Sequence, residues 1–112
     1  MESNTDKILS IHSVVVDVQR RDEDADLWVT TEVRNATDKA QPAELTLVLQ
    51  HGEARETIEI IEVLEPGSNS MESVIRVCEL RQWANHNEYT LMLGLRCNNE
   101  VQDVREEKIK LS

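Results

Sequence analysis

Several stretches of this chain place large apolar residues at every second position. Tyr89, Leu91, Leu93 and Leu95 alternate with Thr90, Met92, Gly94 and Arg96, and Leu45, Leu47 and Leu49 repeat the pattern earlier. Leu27, Val29, Thr31 and Val33 share one face of a third run, opposite Trp28, Thr30 and Glu32, and Met71, Ser73, Ile75 and Val77 are in phase in a fourth. A period of two marks a strand with one face against a core. Ile8 to Val18 is also β-branched, but it alternates cleanly only through Val14, Val16 and Val18, which predicts a bulge or sheet switch midway. In Arg55 to Val63 the phase slips at Ile60-Ile61, which predicts a bulge or strand end there. A last strand is expected from Val101 to Leu111.

Turn chemistry divides these runs. Asn35 to Lys39 closes by composition, because Asn and Asp side chains bond nearby backbone. Pro42 is expected to block strand pairing until Ala43, since it lacks an N–H. His51-Gly52 reads as a hairpin reversal, Pro66-Gly67 as a tight turn, and Cys97 to Glu100 as the last turn. About seven strands at this spacing, with no helical periodicity, predict an all-β immunoglobulin-like antiparallel β-sandwich with Greek-key connections. The whole of 1–112 reads as a single domain, with 1–7 a loose N-terminal lead.

Composition sharpens this picture. There are two Trp, one Tyr and no Phe, so the core must be built from Val, Ile and Leu. Trp83, in a polar loop before the Tyr89 strand, is expected to plug one end of the core. The Tyr89 hydroxyl is expected to bond backbone near the preceding corner. A net charge of −10 with no basic patch argues against nucleic acid and anionic membranes as partners. No apolar run approaches membrane-spanning length and no signal peptide opens the chain; its compartment stays undetermined.

Candidate chemistry is sparse, and the sequence points to no catalytic, cofactor-binding or metal-ligating residue. His12, His51 and His86 are isolated from one another. Asp22, Glu23, Asp24 and Asp26 have the density of a calcium loop without EF-hand spacing or a Gly at the bend, so they read as solvated loop charge. Glu56, Glu59 and Glu62 read as wet strand faces, not as a paired acid and base. Cys78 and Cys97 both lie in the last third and read as free thiols. Asn35-Ala-Thr37 matches an N-glycosylation sequon, but the turn role accounts for it.

The pieces together resemble the immunoglobulin-like sandwich domain of glycoside hydrolase family 2, the β-galactosidase, β-glucuronidase and β-mannosidase group. Val29-Thr-Thr-Glu-Val-Arg-Asn35, Leu45 to Leu49, Val63-Leu-Glu-Pro-Gly-Ser68, Trp83 with Tyr89-Thr-Leu-Met-Leu, and Asn99-Glu-Val-Gln-Asp-Val carry the resemblance over nearly the whole length. The chain departs from the family pattern before Tyr89, where Asn87 and Glu88 replace Pro and an apolar residue, and at Glu107 to Ser112. The resemblance implies a non-catalytic accessory domain, packed between a jelly-roll and a catalytic barrel that carries the two glutamates. Its partners would be neighbouring domains of the same enzyme or another protein, with no cofactor. The alternative is a free-standing sandwich module that binds protein or glycan.

Overall fold

The computed structural model describes residues 7–22, 24–51, 54–77 and 88–110, with the side chains of His51 and Ala54 excluded. These residues form seven antiparallel strands in two sheets. They are β1 (Leu9–Arg21), β2 (Asp24–Asn35), β3 (Gln41–His51), β4 (Ala54–Leu64), β5 (Gly67–Val77), β6 (Glu88–Cys97) and β7 (Glu100–Lys110). One sheet has the order β1-β2-β5 and the other β4-β3-β6-β7. This is the sandwich that the alternation predicts.

The core lies between the sheets and is aliphatic. Leu27, Val29 and Val33 of β2 and Met71, Ile75 and Val77 of β5 face Leu45, Leu47 and Leu49 of β3 and Leu91, Leu93 and Leu95 of β6. Tyr89 and Cys97 extend the β6 row at its two ends and are buried with it. Fully burying a Leu or Ile side chain contributes roughly 1.5–3 kcal/mol, so these rows are the main source of stability. The corner before Tyr89, the Trp83 plug and Cys78 lie outside the described residues.

The irregular first strand resolves as a bulge. The β1–β2 register shifts between Ile11 and Ser13, so Leu9 and Ile11 face the core before it and Val14, Val16 and Val18 face inward after it. The expected slip at Ile60-Ile61 does not occur. β4 pairs with β3 without a shift from Gln41↔Leu64 to His51↔Ala54. Ile58 and Ile60 turn to the core, while Ile61 and Val63 sit on the outer face, 69% and 66% exposed. β4 is an edge strand, and its mixed pattern reflects apolar residues on both faces.

Pro42 is also inside a strand, opposite Val63 of β4. The ladder with β6 starts only at Glu44, so at Pro42 the chain has a strand neighbour on one side alone. Three turns use positive φ, the first at Asp22 (49°) between β1 and β2. Gly67 stands at +97°, and Asn98 and Asn99 at 52° and 68° form the two-residue link between β6 and β7.

Candidate functional site

At one end of the sandwich, Asn35 ends β2 and is buried. Its Nδ2 donates to the carbonyls of Lys39 at 2.8 Å and Leu64 at 3.0 Å. Its Oδ1 accepts from the Thr37 backbone N–H at 2.9 Å and the Thr37 hydroxyl at 2.7 Å. One side chain therefore fixes the β2–β3 crossover and ties it to the end of β4. The sequon nitrogen is committed to this network, which supports the turn role over a glycan acceptor in the folded chain.

Along one side, β1 and β7 are the edges of opposite sheets, and polar side chains of β7 join them. Gln102 Oε1 accepts from the N–H of Ile8 at 2.9 Å and of Leu9 at 3.2 Å. Asp103 Oδ2 accepts from the Ile11 N–H at 2.8 Å, and Arg105 Nη2 donates to the Ile11 carbonyl at 2.6 Å. A register shift after Leu95 leaves Gln102 as the extra residue that reaches inward. These bonds occupy backbone groups of an edge strand that would otherwise stay open to water or to another strand.

Farther along the same seam the strands part. Val14, Val16 and Val18 face Ile109 across an open groove of about 280 Å³, rimmed by Glu107, Lys108 and Lys110. A second depression of about 210 Å³ is lined by Met92, Val104, Arg105 and Glu106. Each holds a single carboxylate. Glycoside hydrolysis needs two carboxylates flanking the scissile bond, so neither groove presents that pair.

The acidic tip differs from the sequence reading. β2 starts at Asp24, and Asp26 is a buried strand residue, not solvated loop charge. Arg21 donates to Asp26 at 2.7 Å and Arg76 at 3.0 Å. The Arg76 hydrogen bond, foremost, holds the Asp26 carboxyl below its ordinary value; burial opposes this, and the two guanidinium charges add to the lowering. Both carboxylate oxygens are thus taken by cations of the chain itself. No group of three or more His, Cys, Asp or Glu fit to hold a metal ion occurs among the described residues. Glu23 lies outside them.

Trp28 is on the outer face of the same sheet, 44% exposed, with Asp17 and Val74 as its cross-strand neighbours. It is an exposed aromatic that alternation alone places correctly. His12 is exposed at the β1 bulge; the His51 side chain and His86 lie outside the described residues. Glu56, Glu59 and Glu62 are exposed along β4. Cys97 is a free, buried thiol, and burial, with Glu100 adding to it, pushes its pKa up, away from thiolate reactivity.

No protein-family model and no curated protein matches the sequence. Solved structures do match the fold. A putative β-galactosidase from Bacteroides fragilis superposes with a TM-score of 0.76 at 17% identity, covering 88% of this chain and 16% of that one. An exo-chitosanase from Amycolatopsis orientalis gives 0.68 at 14%, covering 92% and 13%. The fold recurs in glycosidases. A β-glucuronidase from glycoside hydrolase family 2 gives 0.67 at 15%, covering 88% of this chain and 11% of that one. This chain therefore spans about a sixth or less of the length of each of these neighbours.

Proposed function

We propose that the chain is a non-catalytic accessory domain of a family 2 glycoside hydrolase, lying between a sugar-binding jelly-roll and a catalytic barrel outside this sequence. The observation that carries this reading is the asymmetry of coverage. The likeness takes in 88–92% of this chain and only 11–16% of glycosidase chains. The site chemistry agrees with it. The described polar networks at Asn35, Asp26 and Gln102 are spent on backbone and on one another, which makes a rigid spacer and not a reaction centre. Such a domain contributes to catalysis by holding its neighbours in place. Purified chain should leave aryl galactosides, glucuronides and mannosides intact. Turnover that disappears when one carboxylate is changed would overturn the proposal.

Trp28 favours a second reading, a free-standing module that contacts a glycan or protein through the outer face of the three-stranded sheet. An exposed indole can stack on a sugar ring. Under this reading Trp28→Ala removes binding on a glycan array and leaves the denaturation midpoint in place. Under the accessory reading no glycan is bound to begin with.

A further inference from the structure

The two strands that border the β1–β7 seam run parallel to each other in facing sheets. Gln102, Asp103 and Arg105 lie along Ile8 to Ile11 and bond its backbone, and Ile109 lies along Val14 to Val18. Past the bulge after Ile11 this bonding stops. Among the described residues, nothing hydrogen-bonds the outer edge of β1 from Ser13 to Arg21. An open backbone edge is a template for another strand. The groove lies beside it, with Val14, Val16 and Val18 half-buried on one wall and Ile109 on the other. A fourth strand beside β1 would stand over this groove, and the three-stranded sheet is one strand narrower than the sheet it covers.

Charge marks the two ends of the groove. β7 turns Arg105, Glu107 and Ile109 inward in alternation, so Glu107 stands half-buried at the end nearest the bulge. Arg20 is in phase with Val14, Val16 and Val18 and stands at the other end. Burial raises the Tyr89 pKa and the Arg20 charge works against that rise, which puts the guanidinium near Tyr89, the cross-strand neighbour of Ile109. Neither Glu107 nor Arg20 has a hydrogen-bond or ion-pair partner among the described residues. The rim lysines alternate with Ile109 and so turn outward, where Lys108 bonds Thr90 and pairs with Glu106.

We propose that this seam binds an extended peptide strand of a partner protein, paired antiparallel to the open edge of β1. Alternate side chains of that strand read acidic, apolar, apolar, basic. The acid meets Arg20, the apolar pair enters the groove opposite Val18 and Val16, and the base reaches Glu107. In this mode main-chain bonds supply affinity and the side-chain pockets supply specificity. The two inward charges turn away a wholly apolar strand, which would leave both unpaired, and they favour one that neutralises them. No stretch of residues 1–112 carries an acid, two apolar residues and a base at successive alternate positions, in either direction. A second copy of the chain therefore does not supply the strand.

The inference does not rest on the glycosidase reading, and its failure would leave that reading intact. The probe is a blocked peptide, Thr-Glu-Thr-Val-Thr-Val-Thr-Lys-Thr, titrated into isotope-labelled chain and followed by backbone amide NMR shifts. Saturable shifts should appear from Ser13 to Arg21 and at Glu107 and Ile109, and not along β4 or β5. A peptide with its Glu and Lys exchanged should bind about tenfold more weakly, since like charges then face each other at both ends. The double variant Arg20→Glu with Glu107→Lys should reverse this preference, and far-ultraviolet CD checks that it keeps the sandwich. The comparison of the two peptides on the parent chain decides the matter even where the variant fails to fold. No saturable binding at millimolar peptide overturns the proposal. Equal binding of the two peptides, binding along another edge, or a folded double variant that keeps the parent's preference also overturns it.

Discussion

Asn35 donates from Nδ2 to the carbonyl of Leu64 at 3.0 Å, a bond between the last residue of β2 in one sheet and the last residue of β4 in the other. Two sheets held only by apolar contact can slide. This bond fixes their relative position where the chain crosses between them, and it is made inside the core. Asn35→Ala deletes four hydrogen bonds and leaves the Leu64 carbonyl without this donor. At about 1 kcal/mol net per bond, with some recovery from water, the expected loss is about 3 kcal/mol. Urea denaturation checks this, and a loss below about half a kcal/mol would show that the network is incidental.

Asp26 makes stability depend on acid. Its folded-state pKa lies below the ordinary 3.8, so its contribution is fully present above that value. The contribution is lost as pH falls through the depressed folded value, because the unfolded chain then binds the proton more readily. Asp26→Asn should therefore destabilise the protein at neutral pH, and the gap to the parent should narrow as pH drops below 3.8. Denaturation of both proteins at neutral pH and at strongly acidic pH measures the gap; a constant gap would rule out the ion pairs as its source.

Thr31 is buried on the inner face of β2, and its hydroxyl has no hydrogen-bond partner. A buried hydroxyl without a partner opposes folding, and a methyl group of the same shape does not. Thr31→Val should raise stability by up to about 1 kcal/mol. A lower denaturation midpoint in this variant would mean that the hydroxyl is satisfied in solution.

The β1–β7 seam has a local readout. Gln102 accepts from the N–H of both Ile8 and Leu9. Gln102→Ala should speed amide hydrogen exchange at Ile8 and Leu9 and leave the central amides of β3 and β6 unchanged, since edges open locally before the core does. Uniform acceleration over all strands would indicate global destabilisation instead.

How much of this was legible varies along the chain with what each strand face meets. Leu45 to Leu49 and Leu91 to Leu95 lie in adjacent central strands with one face on the core, so their period is clean and the sequence reads them directly. β4 is an edge with aliphatic residues on both faces, and the change at Ile60-Ile61 mimics a phase slip that the pairing does not contain. β7 inverts the rule. Gln102, Asp103 and Arg105 turn toward β1 because they bond its open edge, while Val101 and Val104 are exposed. Asp26 was hidden by its neighbours, since a run of charge reads as loop unless the arginine brought by β5, fifty residues away, is known. Only the tertiary fold supplies that partner.

The central claim is that this sandwich serves a larger glycosidase, and the native polypeptide tests it most directly. Antibody capture of the protein from its source, followed by peptide mass mapping, reads which sequence is joined to residues 1–112. The account predicts a much longer chain, with this sandwich next to a barrel that carries two catalytic carboxylates. A native species of 12.8 kDa that brings down no glycosidase activity would contradict it.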